Sequence, residues 1–221
     1  MPVKALDQRL YDIHNINIDI KNREVYLHSP PDFEEESGVD FKTAINLYKN
    51  ITYLSNINYD PIIIHMYLPG GVWEDCLGIY DIIKQCPCKI ILIASAKVES
   101  ASSVIFQAAD LRILMPNTNM LIHYGSLSID NEHKAVMSNL EWSERESNKM
   151  IDIFTERCIQ GPLAKEKRWK KMSARKHIMT QLANKSDWIL NATEATHYGF
   201  ADGVLGSSGF EDLHTIKNNN T

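Results

Sequence analysis

The densest apolar runs in this 221-residue chain are short: PIIIHMYL, beginning at Pro61, and KIILIAS, beginning at Lys89. Each is nearly continuous rather than alternating, the pattern of a strand covered on both faces. REVYLHS from Arg23 predicts another strand, and LRILM and NMLIHYG predict two more. Between them the spacing becomes helical. VDFKTAINLYKNITYLS sets Ala44, Leu47, Ile51 and Leu54 along one side, and VWEDCLGIYDIIKQC predicts a second helix. A third is expected from Ser100 to Ala109, bearing Val104, Ile105 and Ala108. From Asp130 to about Leu182 the chain reads as helical, with a break at QGP (160–162) and an apolar side from Val136, Leu140, Met150, Ile151, Ile153 and Phe154. A final helix begins near Asn191, with Glu194 placed to close a capping box. Strand alternating with helix predicts an α/β layer fold with a largely parallel sheet.

The length and the 44% hydrophobic content suit one domain over 1–221, with no repeat or long linker. HSPPDFEEESG (28–38) and the tail HTIKNNNT (214–221) are the least structured stretches expected. A net charge of -5 argues against a general nucleic-acid binder. No run reaches the roughly 18 apolar residues of a membrane span, and the first residues carry no signal-peptide core. Cys76, Cys86, Cys88 and Cys158 make no paired C-x-x-C, and CPC alone lacks the four convergent ligands of a zinc site. The expectation is reduced thiols, no metal or cofactor and a cytoplasmic setting, in which the sequons at Asn50 and Asn191 carry no meaning.

Four stretches could carry chemistry, and each has a plain alternative. In YLPGGVWEDC (67–76) a strand ends, two glycines follow and a helix starts. Backbone N–H groups there suit a developing negative charge, or the segment is only a tight turn. Ser95, Ser100, Ser102 and Ser103 crowd LIASAKVESASSVIFQAAD (92–110). Ser100 opens a helix, so it is either an N-cap or a nucleophile, the latter needing a histidine and an oxyanion hole. His123 ends the strand NMLIHYG and competes with His65 in IIIHMYL. Asp187, before a short strand, is a surface carboxylate or the orienter of an imidazole.

In order, these stretches resemble the Clp-type serine peptidases, the ClpP-like members of the ClpP/crotonase fold. YLPGGVWEDCLGIYDII resembles the family's strand–Pro–Gly–Gly–helix block, SASSVIFQAAD the block opening with the nucleophile, MPNTNMLIH the block ending in the base, and DWILNATEATHYGFAD the last block. The resemblance runs from about Tyr11 to Val204. It implies repeated β-β-α units, a largely parallel sheet and a protruding helical handle over about 125–185, after an N-terminal segment (1–10) and before a flexible tail (208–221). It implies Ser100 as nucleophile, His123 as base, Asp187 as orienter, and the Gly71 and Ala101 N–H groups as oxyanion hole. Ser102 and Ser103 then face a neighbouring chain or solvent, and Ser95 ends its strand short of the turn. It further implies a peptide or unfolded-protein substrate, a homo-oligomer of heptameric rings stacked in pairs, an ATP-dependent unfoldase as partner, and no cofactor, nucleic acid or membrane.

The chain departs from the pattern in places. AKVES replaces small residues before the nucleophile, and Glu99, adjacent in an extended segment, is expected to point away from the site. YGSLSIDNE after His123 is poor in glycine. AKEKRWKKMSARKH (164–177) is added length, with seven Lys/Arg against one Glu, and reads as a solvated face or a contact with DFEEE. Only about ten residues precede the Tyr11 region, which bears on coupling to an unfoldase. The competing readings are a catalytically inactive ClpP-like scaffold, with Glu99 as its symptom, and an acyl-CoA enzyme of the crotonase type. A Ser–Lys pair using Lys97 is made unnecessary by the intact histidine block. A virus-encoded member processing its own assembly proteins is a narrower form of the peptidase reading.

Overall fold

A computed structural model describes residues 3–28, 38–126 and 132–220. One sheet organises them. Its strands β1 (Ile18–Asp19), β2 (Glu24–His28), β3 (Ile62–Leu68), β4 (Ile90–Glu99), β5 (Leu111–Leu114) and β8 (Gly203–Val204) lie side by side in that order. β6 (Asn119–Ile122) pairs with the far half of β4, and β7 (Trp188–Asn191) pairs with β6. All pairings are parallel except β1–β2 and β6–β7.

Alternation along β3 and β4 makes two cores. Ile62, Ile64, Met66, Ile90, Leu92 and Ala94 join the main cluster, under α2 (Phe41–Ile57), α3 (Trp73–Gln85) and α4 (Ala101–Phe106). Ile63, Ile91 and Ile93 face the other way and join Ile113 and Ile216 in a second cluster. α2 starts at Asp40, whose carboxylate accepts from the Thr43 N–H at 2.8 Å while the Thr43 hydroxyl accepts from the Asp40 N–H at 2.9 Å. Its Leu47, Ile51 and Leu54 are buried, and α3 buries Cys76, Ile79 and Ile83 at helical spacing.

Three expectations change. β4 does not stop at Ser95: it bends at Ala96, where φ is +61°, and continues to Glu99. The bend lets one strand pair with β5 through Ile91–Ala94 and with β6 through Lys97–Glu99. Residues 3–16 form helix α1 (Val3–Ile16). The tail contains α9 (Leu213–Asn218), with Asp212 accepting from the Thr215 N–H and Ile216 only 1% exposed, so residues 213–218 are docked rather than flexible.

The handle is α5 (His133–Cys158), α6 (Pro162–Lys167) and α7 (Lys171–Lys185). Two of its basic residues pair within the handle: Lys171 with Glu156, and Arg175 with Asp152 at 3.1 Å. The DFEEE stretch expected as their neighbour lies outside the described residues. So does the stretch 127–131, which holds most of the glycine-poor segment after Ser126. α8 (Ala192–Tyr198) is capped by Asn191 and Glu194, each side chain bonded to the other's backbone N–H at 2.9 Å. Among the described residues no helix is long and apolar enough to cross a membrane.

Candidate active site

Strand register brings the three distant residues together. β4 pairs with β6 through Glu99 and Leu121, and one rung on the Ser100 N–H donates to the Leu121 carbonyl at 2.9 Å. β6 pairs antiparallel with β7 through Ile122 and Trp188, so His123 and Asp187 flank that rung as the next cross-strand neighbours. His123 Nε2 lies 2.7 Å from Ser100 Oγ, and His123 Nδ1 lies 3.3 Å from Asp187 Oδ1.

The local backbone at Ser100 is strained. Its φ of +54° and ψ of −122° belong to a region that non-glycine residues rarely occupy, a cost of about 1–3 kcal/mol. Ser100 heads α4 but makes no side-chain cap bond, so its hydroxyl is directed to His123 instead. Ser102 and Ser103 do the holding. Ser102 Oγ accepts from the Glu99 N–H and donates to the Glu99 carbonyl, both at 2.8 Å, and Ser103 Oγ donates to the Ser100 carbonyl at 2.6 Å. Both are buried, which corrects the expectation that they face a neighbour or solvent. Their place in the first turn of α4 was expected, but there each hydroxyl finds a backbone partner rather than an outside one.

The Gly70–Gly71 turn closes the other side. Val39 donates to the Gly70 carbonyl at 3.1 Å and accepts from the Val72 N–H at 2.8 Å. In such a parallel bridge the groups flanking Gly71 face Val39, and the N–H of Gly71 itself turns to the opposite side. The Ala101 N–H is at the first position of α4 and has no intrahelical acceptor. Gly70, Gly71, Ser100, Ala101 and His123 line one cavity of about 540 Å³. Neither Glu99 nor Lys97 lines it; Lys97 sits on β4 opposite Asn119.

The competing histidine is elsewhere. His65 stacks on Tyr26 with ring centroids 5.1 Å apart, and its Nε2 is 3.1 Å from Glu24 Oε2. The bond from His65 holds the Glu24 carboxyl down to about 2, against the opposing effect of burial, and Lys217 from α9 adds to it. Ser95 lines a groove with His65, Tyr26 and Met115, separate from the Ser100 cavity. Burial pushes the thiol of Cys76 up to about 12 and those of Cys86 and Cys158 up to about 11, so they stay protonated at neutral pH. Among the described residues no group of three or more His, Cys, Asp or Glu could hold a metal ion.

Sequence reasoning missed the far wall of the cavity. Trp73 begins α3, and its indole N–H donates at 2.8 Å to Glu146 Oε2 on α5; Trp142 and Met150 of α5 line the same space. In the sequence Glu146 is one polar residue among many in a helical stretch, and only the packing of α5 over α3 singles it out.

Comparison with known proteins gives a consistent result. The sequence model of the family described as "Clp protease" matches residues 32–208. The ATP-dependent Clp protease proteolytic subunit 2 of Pseudomonas aeruginosa is 34% identical over 176 residues, covering 77% of this chain and 78% of that protein. The ATP-dependent Clp protease proteolytic subunit of Paracoccus denitrificans is 29% identical over 168 residues, covering 75% and 77%. A ClpP1 mutant structure from Listeria monocytogenes superposes with a TM-score of 0.69 over 96% of this chain and 99% of that one, at 20% identity, which speaks to the fold. With a family match spanning most of its length and this α/β architecture around it, the chain belongs to the Clp protease family, as a ClpP-like peptidase homologue.

Proposed function

We propose that this chain is an active serine endopeptidase that cleaves peptide bonds through an acyl-enzyme. The observation that carries the reading is the 2.7 Å approach of Ser100 Oγ to His123 Nε2 at a strained strand-to-helix turn, with no cap bond competing for the hydroxyl.

In this mechanism Ser100 Oγ attacks the scissile carbonyl carbon while its proton passes to His123 Nε2. The proton then goes to the leaving amine, and a water activated by the same imidazole releases the acyl group. Asp187 keeps Nδ1 protonated and stabilises the imidazolium, without taking the proton itself. Its 3.3 Å separation from Nδ1 exceeds the 2.7–2.9 Å usual for a charge-assisted bond, and such contacts tighten when substrate binds. The Gly71 and Ala101 N–H groups receive the oxyanion; losing one such donor costs roughly 100- to 1,000-fold in turnover.

The proposal extends to a ring-shaped homo-oligomer with its sites inside a chamber, served by an ATP-dependent unfoldase; the relatives are named as proteolytic subunits of an ATP-dependent Clp protease. Exposed apolar stripes support assembly. Leu6 and Leu10 on α1, and Phe41, Ile45 and Tyr48 on α2, are each between 47 and 58% exposed, at spacings that set them along single helix faces.

The test is labelling with a fluorophosphonate and mass-spectrometric mapping of the adduct. An adduct on Ser100, absent from His123→Ala and from Ser100→Ala, is the expected result. No adduct in an assembled sample overturns the enzyme reading in favour of an inactive scaffold.

A further inference from the structure

Glu146 is the only Asp, Glu, Lys or Arg among the described residues that line the Ser100 cavity. Its side chain is 15% exposed, and its carboxylate is held from two sides. The Trp73 indole N–H donates to Oε2 at 2.8 Å, and Lys149 Nζ lies 2.9 Å from Oε2 and 3.0 Å from Oε1. The Lys149 side chain, by contrast, is 51% exposed, one helical turn along the same surface.

We propose that Glu146 is a specificity determinant that selects substrates with Lys or Arg on the acyl side of the scissile bond; this rests on the peptidase reading of the same cavity. The cavity offers a long basic side chain what it needs. Trp73, Trp142 and Met150 supply apolar walls for the methylene stem, and indole faces attract a cation. Lining the same space is a carboxylate already fixed in position by the Trp73 N–H. Lys149 is the chain's own occupant of that carboxylate. A half-exposed lysine pair of this kind is weak, so a substrate cation that also buries its stem can displace it. An acidic side chain meets repulsion, and a large apolar one must cover a charged oxygen without satisfying it.

The test uses peptidyl diphenyl phosphonates that react without turnover and differ only in the residue carrying the phosphonate: Arg-like, Lys-like or Leu-like. Adduct formation at Ser100 in the full-length, assembled protein is followed by intact mass. The basic reagents are expected to react about tenfold or more faster than the Leu one, the scale of a charge-assisted bond. Glu146→Gln collapses that ratio, Glu146→Asp restores part of it, and Lys149→Ala raises it by removing the competing cation. A Leu reagent that reacts as fast as the basic ones, or a ratio unmoved by Glu146→Gln, overturns the specificity assignment alone if a simple fluorophosphonate still labels Ser100. If neither class of reagent labels Ser100, the peptidase reading falls and this assignment falls with it.

Discussion

Gly70 and Ser100 touch so closely that a methyl group cannot fit between them: a Cβ built on Gly70 would lie 2.5 Å from Ser100 Cβ and 2.9 Å from Ser100 Oγ. The clash falls on the atoms proposed to react, not on a flexible side-chain end. Gly70→Ala is therefore expected to displace the hydroxyl from His123 and to lower kcat/KM by about 100-fold, the effect of a displacement of about 1 Å. Peptidase assays with circular dichroism as the folding control check it; a loss below tenfold contradicts the geometry.

Ser102 separates structural from chemical roles within the serine cluster. Its hydroxyl exchanges two bonds with the Glu99 backbone in a fully buried setting. Ser102→Ala is expected to destabilise the fold by about 1–3 kcal/mol, because the Glu99 N–H and carbonyl lose a buried partner. Fluorophosphonate labelling of Ser100 should survive, while denaturant unfolding shifts to a lower midpoint.

Glu24 predicts part of the acid sensitivity. Its ordinary value is 4.5 and its folded value about 2, so the folded state holds the charged form more strongly than the unfolded one. Its contribution is present above about 4.5 and is lost as pH falls toward 2. Glu24→Gln is expected to lower Tm at neutral pH by removing the charged partner of His65 and Lys217, a loss of about 1–3 kcal/mol. The gap between variant and parent should close between those two pH values. A constant gap across the series of melts contradicts the assignment.

Ile216 makes α9 structural. It is the buried α9 residue in the cluster with Ile63, Ile91, Ile93 and Ile113, on the sheet face turned away from the helices of the main core, and Leu213 packs against the same cluster. Ile216→Ala is expected to cost about 2–5 kcal/mol, read from the urea midpoint. A change below 0.5 kcal/mol would mean that the tail does not hold that face.

Much of this was legible in the residues. The nearly continuous runs around Ile63 and Leu92 are strands because both their faces are covered, and the order of the Gly-Gly, Ser, His and Asp stretches matches the order in which β3, β4, β6 and β7 deliver them. What stayed hidden depended on tertiary partners. SAKVES looks like a loop because only Val98 is buried there, yet β6 supplies its ladder bonds. α1 was missed because Leu6 and Leu10 face outward, so its apolar residues do not mark a covered side. α9 buries a single isoleucine, too little for a periodic signal, although Asp212 followed by Thr215 was a readable cap. Glu146 matters only because α5 lies over Trp73, which no local pattern shows.

The rung beyond Ile122 and Trp188 has a consequence for the order of assembly. His123 and Asp187 are neighbours across that rung, but α5, α6 and α7 lie between them in the chain. Closing so long an excursion is entropically slow, and it precedes any contact between imidazole and carboxylate. Along the chain Ser100 and His123 both precede the handle, and the carboxylate proposed to orient the imidazole, Asp187, follows it. The set proposed as hydrolytic is therefore complete only once α5, α6 and α7 have folded back to bring β7 alongside β6.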